Sequence, residues 1–511
     1  MPGGLPVEEQ EAIVVVAGPE FPDQPPLVLV EHDRFVGYPN VLLGDELCIY
    51  LDPSREWHPA FGAEQLLERV WKFLDDAANA RFDRRTALFH AIGGRQPTNV
   101  GMPTVVVRTS PPDDARPLSL ATIRKRTNAR LDVVGWRQGR AKQPDHSAVV
   151  LTASTPLYRG VAPDLTTLLN QLADAGGPHP VGAADALGRA AAHSGAGQPV
   201  YLILAVHHPD APSLQHLVPG RLPGASADQL RGTRRRMPTD PILIEWLPMS
   251  DQRSETATRR DSARPVASFG GRTVEVWGCG GVGSWTAEFI ARAGAKRIVL
   301  RDKALVGGGL LVRQNFLEDD IGWLKAAQLA ARLRALADEL DVRAEPGDAL
   351  VGIADGRLPD ADILVDATVN ETVAARLDEA AKQSSGPPAM AQLATDSRTA
   401  TYGLLLFVPA GHPYGPATVD SWAARRVLGD GSLEAFHRFW TEPAKGDQLI
   451  PEVGCSVPTF HGSAADLASV AGSLVSLLGQ SLQSGTPGVH LLAAAHAGGG
   501  PRHVFLRYEQ S

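Results

Sequence analysis

Cys48 stands in a spaced pattern of residues that suits sulfur-based acyl transfer. Asn40 lies eight residues before it, in the run Tyr38-Pro39-Asn40, and Trp57 follows nine residues after it. A thiolate can hold an acyl group as a thioester, and a nearby amide donor can stabilise the oxyanion that forms when an amine attacks. The pattern predicts Cys48 as a nucleophile and Asn40 as the amide donor that stabilises the oxyanion. The alternative is a buried strand cysteine beside an incidental Pro-Asn turn.

A glycine-rich loop, WGCGGVGS at 277–284, predicts a phosphate-binding turn. Gly278, Gly280 and Gly283 form a G-x-G-x-x-G pattern between a predicted strand and a predicted helix. Such glycines allow a close backbone approach, while the helix N-terminus offers free N–H groups to an anion. Asp302 ends the next predicted strand about twenty residues on, where a carboxylate can bind ribose hydroxyls. A simple turn cap is the alternative for Asp302.

The segment after Asp302 favours ATP chemistry over nicotinamide chemistry. Arg313 and Gln314 are adjacent, and Lys325 begins a long predicted helix. A triphosphate attacked at its α-phosphate needs such groups, because charge develops on the phosphate oxygens and the departing pyrophosphate. A nicotinamide site has no general need for them. We therefore expect Arg313 to be catalytic and Lys325 to bind the nucleotide.

The two other cysteines differ in their setting. Cys455 lies in EVGCSVPTFHGS, directly before a predicted helix. A thiol on such a loop is accessible, and a helix N-terminus favours the thiolate. Cys455 is thus a second candidate acyl carrier with His461 as a candidate base; an incidental cysteine and a surface histidine are the alternatives. Cys279 lies inside the glycine loop, where a small packing residue is the simpler interpretation.

Size and composition narrow the classes of protein. The chain has 511 residues, of which 43% are hydrophobic, and a formal charge of −8. No Lys/Arg block favours nucleic-acid binding, and we see neither a signal peptide nor an apolar run of about 18 residues. We therefore expect a cytoplasmic protein without a membrane or nucleic-acid partner. The three cysteines lie far apart, which argues against disulfides and a structural zinc site.

Apolar spacing predicts three domains. Short strands over 11–51 and an amphipathic helix over 63–80 predict a small α+β domain at residues 1–90. Further strands and a helix predict a mixed α/β middle domain at 91–250. Strands and helices then alternate, which predicts a Rossmann-like doubly wound sheet at 251–511.

Residues 268–408 resemble the ThiF/MoeB/E1 adenylation family, which activates ubiquitin-like proteins or sulfur carriers. The resemblance rests on GCGGVGS, the strand ending in Asp302, and the run RQNF…IGWLKA. It implies ATP and Mg²⁺ as cofactors, with Asp302 on the ribose and Arg313, Gln314 and Lys325 around the phosphates. It also implies a homodimer.

Two positions depart from the pattern of that family. Leu310 stands where the family has Asn, and Val369 stands where it has its magnesium-binding Asp, which leaves Asp366 as the nearest acid. The metal ligands are therefore not assigned. The arginine that the family donates across its dimer has three upstream candidates: Arg259, Arg260 and Arg264.

Residues 11–82 resemble the core of the E2 ubiquitin-conjugating enzymes. The pattern is F-P-x-x-P-P, then Pro-Asn, Cys48, and Trp-x-Pro before a helix. The resemblance implies that Cys48 carries a thioester and that Asn40 serves the oxyanion. Tyr38 stands where the family has the His of its His-Pro-Asn motif.

The order of these parts resembles the E2–E1 fusions of bacterial antiphage operons, such as the CBASS-associated Cap2 type. That resemblance implies adenylation of the C-terminal, glycine-type carboxylate of a ubiquitin-like or other partner protein. A thioester on Cys455, transfer to Cys48 and conjugation to a target lysine would follow. The alternatives are a sulfur-carrier adenylyltransferase, an NAD-dependent oxidoreductase and a non-catalytic ThiF-like scaffold.

Overall fold

The computed structural model divides the chain into two compact units, Met1–Thr258 and Arg259–Ser511. The domain boundaries near residues 90 and 250 stay predictions. The residues whose structure is described are 4–82, 88–112, 116–137, 145–208, 211–231, 241–256, 261–353, 355–441, 449–451, 456–458 and 462–509.

The first unit contains two sheets. Its strands are β1 (Ile13–Val16), β2 (Leu27–Val30), β3 (Val41–Leu42), β4 (Glu46–Leu47), β5 (Thr104–Val107), β6 (Leu118–Thr127), β7 (Arg130–Arg137), β8 (His146–Ala153), β9 (Val200–His208), β10 (Ala211–Leu222), β11 (Glu245–Trp246) and β12 (Met249–Asp251). Its helices are α1 (Pro53–Glu56), α2 (Ala63–Ala78), α3 (Leu165–Asp174), α4 (Pro180–Ser194) and α5 (Gly224–Arg231). The smaller sheet is antiparallel, in the order β1-β2-β4-β3. The larger is mixed, in the order β11-β10-β9-β8-β6-β7-β5-β12.

Helix α2 packs on the core of the small sheet, as its apolar spacing predicts. Leu66, Val70 and Phe73 are buried on one face of the helix and share a core with Val28 and Phe35. The last of the short strands predicted over 11–51 ends at Leu47, because the N–H of Ile49 donates to the C=O of Leu47 and turns the chain. Cys48 therefore lies just beyond a strand.

The polar run 250–268 has the composition of a linker, but its first part is folded. Strand β12 pairs in parallel with β5. The side chain of Arg253 is fully buried and donates to Asp251 and to the C=O of Gln215. The guanidinium is buried at low cost because these acceptors satisfy its donors. The polar composition of this segment therefore does not make it a linker.

The second unit has a sheet covered on both faces. Its strands are β13 (Thr273–Trp277), β14 (Arg297–Arg301), β15 (Asp341–Glu345), β16 (Ile363–Asp366), β17 (Ala389–Thr395), β18 (Tyr402–Val408), β19 (Leu449–Pro451), β20 (Ser456–Pro458), β21 (Gly488–Ala493) and β22 (Arg502–Arg507). Its helices are α6 (Gly281–Arg292), α7 (Lys325–Leu336), α8 (Glu371–Gln383), α9 (Pro416–Leu428) and α10 (Ala464–Ser484). The sheet order is β15-β14-β13-β16-β17-β18-β21-β22, and β19 pairs with β20.

The first five strands of that order run parallel, which confirms the predicted doubly wound fold. The next three are antiparallel. For the pair β17 and β18 the connection is too short for a crossover helix, which parallel neighbours would need. Helices α6, α7 and α10 bury their apolar residues in one core, and α8 and α9 bury theirs on the opposite face. The carboxyl ends of β13, β14 and β16 therefore meet at one edge, where ligands bind in such sheets.

Helix α10 is, within the described part of the chain, the one helix long and apolar enough to cross a membrane by length and composition alone. It begins at a capping box of Ser463 and Asp466 and ends at Gly485, which adopts a left-handed conformation. Its residues Leu467 and Leu474 are fully buried in the core against the sheet. This is the packing of a core helix.

Candidate functional site

Asn40 and Cys48 face each other across a β-hairpin. Strands β3 and β4 pair Val41 with Leu47, and the next step of that register joins the N–H of Cys48 to the C=O of Asn40 over 2.8 Å. Leu43 has a positive φ of 52° at the tip. The eight-residue spacing read in the sequence is thus the spacing of a cross-strand pair.

The Cys48 thiol is half-buried and its Sγ donates to the C=O of Tyr50 over 3.5 Å. Burial raises the pKa of Cys48, the charges of Glu46 and Glu56 raise it further, and Arg95 opposes them. The thiolate is the reactive form. The free thiol is therefore less reactive than an ordinary cysteine at neutral pH.

The segment after Cys48 is fixed by an aromatic cluster. The indole N–H of Trp57 donates to the C=O of Pro22 over 2.7 Å, and its ring packs edge-on against Tyr50 and Phe61. This cluster explains the position of Trp57 in the sequence pattern, since it holds the chain that follows the thiol.

His90 is a residue of this region that the sequence did not indicate. Its Nε2 atom accepts the N–H of Asn40 over 3.0 Å, although the two residues are 50 positions apart. Tyr38, at the place of the expected histidine, packs against the core of the small sheet. A search for histidines beyond the motif could have raised His90 as a candidate, but the sequence holds 15 histidines and carries no signal that selects it.

The glycine loop joins β13 to α6. Gly278 has a φ of +83°, and a Cβ at Gly283 would lie 1.7 Å from the C=O oxygen of Gly278, so neither position accepts a side chain. A Cβ at Gly280 would meet nothing within 4 Å. Gly280 precedes α6 without a side-chain cap, which leaves the first N–H groups of the helix available to an anion.

Asp302 lies at the carboxyl end of β14, beside this loop. Its Oδ2 accepts the N–H of Cys279 over 2.7 Å, and its Oδ1 accepts the N–H of Ala304 over 2.7 Å. The thiol of Cys279 is fully buried, and burial raises its pKa well above the ordinary value, with Asp302 adding to the rise and Lys325 opposing it. This burial agrees with a packing role for Cys279.

Lys325 and Gln314 are both buried in the second unit. Lys325 is the first residue of α7 and is buried, and its N–H donates to the C=O of Ala304 over 2.9 Å. Gln314 is buried, and its Oε1 atom has no hydrogen-bond partner among the described residues. Arg313 is half-buried, and its C=O accepts the indole N–H of Trp285 over 3.2 Å.

A buried carboxylate, Glu288, holds the Arg313–Asn315 segment against α6 and was not indicated by the sequence. It accepts from Asn315 Nδ2 over 2.6 Å and from Arg332 Nε over 2.8 Å, and it also pairs with Arg292. Burial alone would raise the pKa of Glu288, but these hydrogen bonds outweigh it and lower the pKa to about 2. From the sequence, helical spacing indicates only one of these partners, Arg292, which lies four residues after Glu288 on α6.

The two departures from the family pattern occupy distinct places. The C=O of Leu310 accepts the N–H groups of Arg313 and Gln314 over 3.1 and 2.9 Å, so its backbone supports the pair although its side chain is apolar. Val369 is 65% exposed and has a φ of +53°. That conformation strains a β-branched residue and suits Asn, Asp or Gly.

Asp366 ends β16 in the interior. Its Oδ1 accepts from the N–H and hydroxyl of Thr368, whereas its Oδ2 has no partner among the described residues. Burial raises the pKa of Asp366, and the bonds from Thr368 oppose the rise. Across the described stretches, three or more His, Cys, Asp or Glu side chains nowhere gather as a metal site.

Some predicted residues lie outside the described residues: Cys455, His461, Arg259 and Arg260. Arg264 is described and precedes a short 3₁₀ helix, Pro265–Phe269, without capping it through its side chain. The roles predicted for these residues stay predictions.

Comparison with known families gives a match for one segment of each unit. Residues 271–408 match the ThiF family, and residues 2–92 match Prokaryotic E2 family A. No curated protein matches the chain.

Solved structures also show similarity. E. coli MccB with ATP is 15% identical over 48% of this chain and 67% of its own, with a TM-score of 0.33. E. coli MccB with AMPCPP and MccA is 15% identical over the same shares, with a TM-score of 0.32. PaaA is 16% identical, again over 48% and 67%, with a TM-score of 0.32.

The small hairpin domain with Cys48 and the doubly wound unit with the glycine loop thus have separate family assignments. Residues 2–92 are matched as a prokaryotic E2 family A domain and residues 271–408 as a ThiF family domain, the E1-like adenylation type, and this order is consistent with an E2–E1 fusion.

Proposed function

We propose that this protein activates a carboxylate with ATP, holds the acyl group as a thioester and conjugates it to an amine. The observation that carries the proposal is the presence of both domain families in one chain. An E1-like fold supplies an activated acyl group, and an E2-like thiol transfers it. Neither half would complete a conjugation by itself.

In the first step, an oxygen of a C-terminal carboxylate attacks the α-phosphate of ATP and pyrophosphate departs. The glycine loop and the start of α6 would bind phosphate through backbone N–H groups. Arg313, Gln314 and Lys325 would stabilise the charge that develops on the phosphates, and Asp302 would accept from the ribose hydroxyls.

Mg²⁺ would accompany the nucleotide and neutralise phosphate charge. The unpartnered Oδ2 atom of Asp366 is the described carboxylate oxygen that fits a cation here. The side chain of Val369 offers no oxygen, so most of the ligands would come from phosphates and water.

In the second stage, Cys455 would displace AMP to form a thioester, and Cys48 would take the acyl group by exchange between sulfurs. A lysine amine of a target would then attack the acyl carbon of the Cys48 thioester, and Asn40 would stabilise the oxyanion. We propose a ubiquitin-like or other protein with a glycine-type C-terminus as partner, a homodimeric enzyme, a cytoplasmic location and a role in antiphage defence.

ATP–pyrophosphate exchange tests the adenylation step. The purified chain is supplied with ATP and with small β-grasp proteins from neighbouring genes. We expect exchange that requires the C-terminal carboxylate of the partner. A lack of exchange with every such protein would support a non-catalytic scaffold, which the apolar Val369 and Leu310 favour.

Replacement of Cys48 by Ala tests the transfer step. We expect exchange to be unchanged and covalent products to disappear, because the thiol acts only after adenylation. Conjugates that persist in Cys48→Ala would contradict the relay and would favour a sulfur-carrier adenylyltransferase, which needs no such thiol.

A further inference from the structure

Both backbone polar groups of Asn40 are used. Its C=O accepts the N–H of Cys48 over 2.8 Å, and its N–H donates to Nε2 of His90 over 3.0 Å. Asn40 has a φ of +59°, a conformation that Asn tolerates better than most residues. Two hydrogen bonds therefore hold Asn40 in a conformation that needs support, directly across the hairpin from the thiol.

The contact determines the form of the imidazole. A backbone N–H can only donate, so Nε2 of His90 must carry a lone pair, and the ring is the neutral tautomer with its proton on Nδ1. While Nε2 accepts from Asn40, it cannot take a proton from an attacking amine. The geometry thus favours a positioning role over a role as base.

His90 is anchored in the core of the larger sheet. His90 is 8% exposed, and the next two residues, Ala91 and Ile92, are fully buried in the core that the helices form on that sheet. The C=O of Ala91 also accepts the N–H of Leu157 over 2.7 Å. The backbone that carries the imidazole is therefore packed against the larger sheet.

The tip of the hairpin docks on the same segment. The N–H of Leu43 donates to the C=O of Gly93 over 2.7 Å. A Cβ at Gly93 would lie 2.7 Å from the backbone nitrogen of Gly160, so the backbones approach too closely for any side chain. The hairpin is thus held at its tip through Leu43 and at its open end through Asn40.

We propose that His90 is a positioning residue for acyl transfer at Cys48, since its bond to the Asn40 N–H connects the larger sheet to the residue that serves the oxyanion. This inference rests on the proposed function of Cys48. It also makes the larger sheet part of the transfer site.

The reaction that tests it needs neither ATP nor the second unit. The Cys48 thiolate attacks the 2-mercaptoethanesulfonate thioester of glycylglycine, a new C–S bond forms, and 2-mercaptoethanesulfonate leaves. Free lysine then attacks the acyl carbon, a C–N bond forms, the C–S bond breaks, and the amine loses one proton to water while Cys48 leaves as thiolate. Peptide mass spectrometry locates the acyl group, and a Cys455→Ser background removes the competing thiol.

Three variants of His90 separate the hydrogen bond from packing. His90→Gln keeps an acceptor at a similar reach, His90→Phe keeps a ring without one, and His90→Asn keeps an amide that is too short. We expect His90→Phe and His90→Asn to load fully but to discharge to lysine about tenfold more slowly, and His90→Gln to stay within about threefold of the parent. His179→Phe is the matched control, because His179 is an exposed histidine of the same unit.

Thermal unfolding and iodoacetamide alkylation of each variant report folding and access to the thiol. If His90→Phe does not fold, His90→Asn carries the comparison. Discharge of both variants at the parent rate would overturn the proposal, and so would His90→Gln as slow as His90→Phe, since the imidazole would then matter beyond its acceptor. A parent thioester that lysine does not discharge would remove the conjugating function and the role of His90 with it.

Discussion

The amide N–H of Cys279 donates a 2.7 Å hydrogen bond to Oδ2 of Asp302, and this bond ties the glycine loop to the next strand. The other carboxylate oxygen accepts the N–H of Ala304. A carboxylate offers about four acceptor positions, so positions remain for ribose hydroxyls. The turn cap and the ribose contact, which the sequence left as alternatives for Asp302, are therefore compatible.

Alanine at Gly280 and at Gly283 should have opposite consequences. A Cβ at Gly283 would lie 1.7 Å from a backbone oxygen, whereas a Cβ at Gly280 meets nothing within 4 Å. We expect Gly283→Ala to unfold the loop, and Gly280→Ala to leave the melting temperature unchanged while weakening ATP binding about tenfold or more by blocking the approach of phosphate. Calorimetric titration with ATP checks the second result. Unchanged affinity in Gly280→Ala would place the phosphates elsewhere.

Relief of strain at Val369 should stabilise the second unit. Asn or Asp at a φ of +53° should gain about 1 kcal/mol over Val, because the left-handed region penalises β-branched residues. Thermal unfolding measures the gain. Val351→Asn is the matched control, since Val351 is 66% exposed and is not among the residues with positive φ.

The same pair of variants tests magnesium handling. Val369→Asp relieves the backbone strain and also adds a carboxylate, whereas Val369→Asn only relieves the strain. We expect pyrophosphate exchange at low Mg²⁺ to rise in Val369→Asp alone, because carboxylate oxygen is a ligand that Mg²⁺ prefers. An equal rise in both variants would assign the effect to the backbone.

Glu46→Gln should make the Cys48 thiol more reactive. Burial raises the pKa of Cys48 most and the Glu46 charge adds to it, so removal of that charge lowers the pKa and increases the thiolate fraction. We expect iodoacetamide alkylation near pH 8 to accelerate about two- to threefold. The buried Cys279 serves as an internal reference, and Glu64→Gln, on the exposed side of α2, as the control variant. Slower alkylation in Glu46→Gln would contradict the electrostatic account.

Glu288→Gln should loosen the segment that carries Arg313. The folded pKa of Glu288 is lowered from 4.5 to about 2, so its stabilisation is complete above about pH 4.5 and is lost as the pH falls toward 2. The shift corresponds to roughly 3 kcal/mol at neutral pH.

Hydrogen exchange of α6 and α7 peptides measures that loss locally, which suits a chain with more than one unit. We expect faster exchange in Glu288→Gln at pH 7 and a smaller difference from the parent at pH 3. Glu318→Gln, an exposed carboxylate, is the control. A difference that grows at low pH would reverse the sign and exclude the charged network.

Much of both sites could be predicted because their determinants are local in the chain. The glycine loop is a strand, a turn and a helix in succession, and the structure has β13, Gly278 and α6 in that order. The spacing from Asn40 to Cys48 is that of a hairpin whose tip lies at Leu43. Hydrophobic periodicity and turn-forming residues indicate such features, because the interacting groups are near neighbours along the backbone.

Other features arise only from the path of the chain in space. The acceptor for Asn40 comes from His90, 50 residues on, and the partner of Glu288 comes from Arg332, 44 residues on. Hydrogen bonds act over about 3 Å, so no spacing rule along the sequence selects such partners. The polar composition around Arg253 is likewise typical of a linker, since composition does not indicate that Asp251 and the Gln215 carbonyl accept hydrogen bonds from this side chain in the interior.

The sequence by itself determined which chemical groups this protein carries: a thiol in a hairpin motif, a glycine loop, and an acid and a lysine after it. The tertiary structure decided what surrounds them, from the imidazole that holds Asn40 to the buried carboxylate that holds Asn315. The physical reason is that groups and turns are local properties of the chain. Orientation, burial and charge environment depend on packing between segments far apart in sequence.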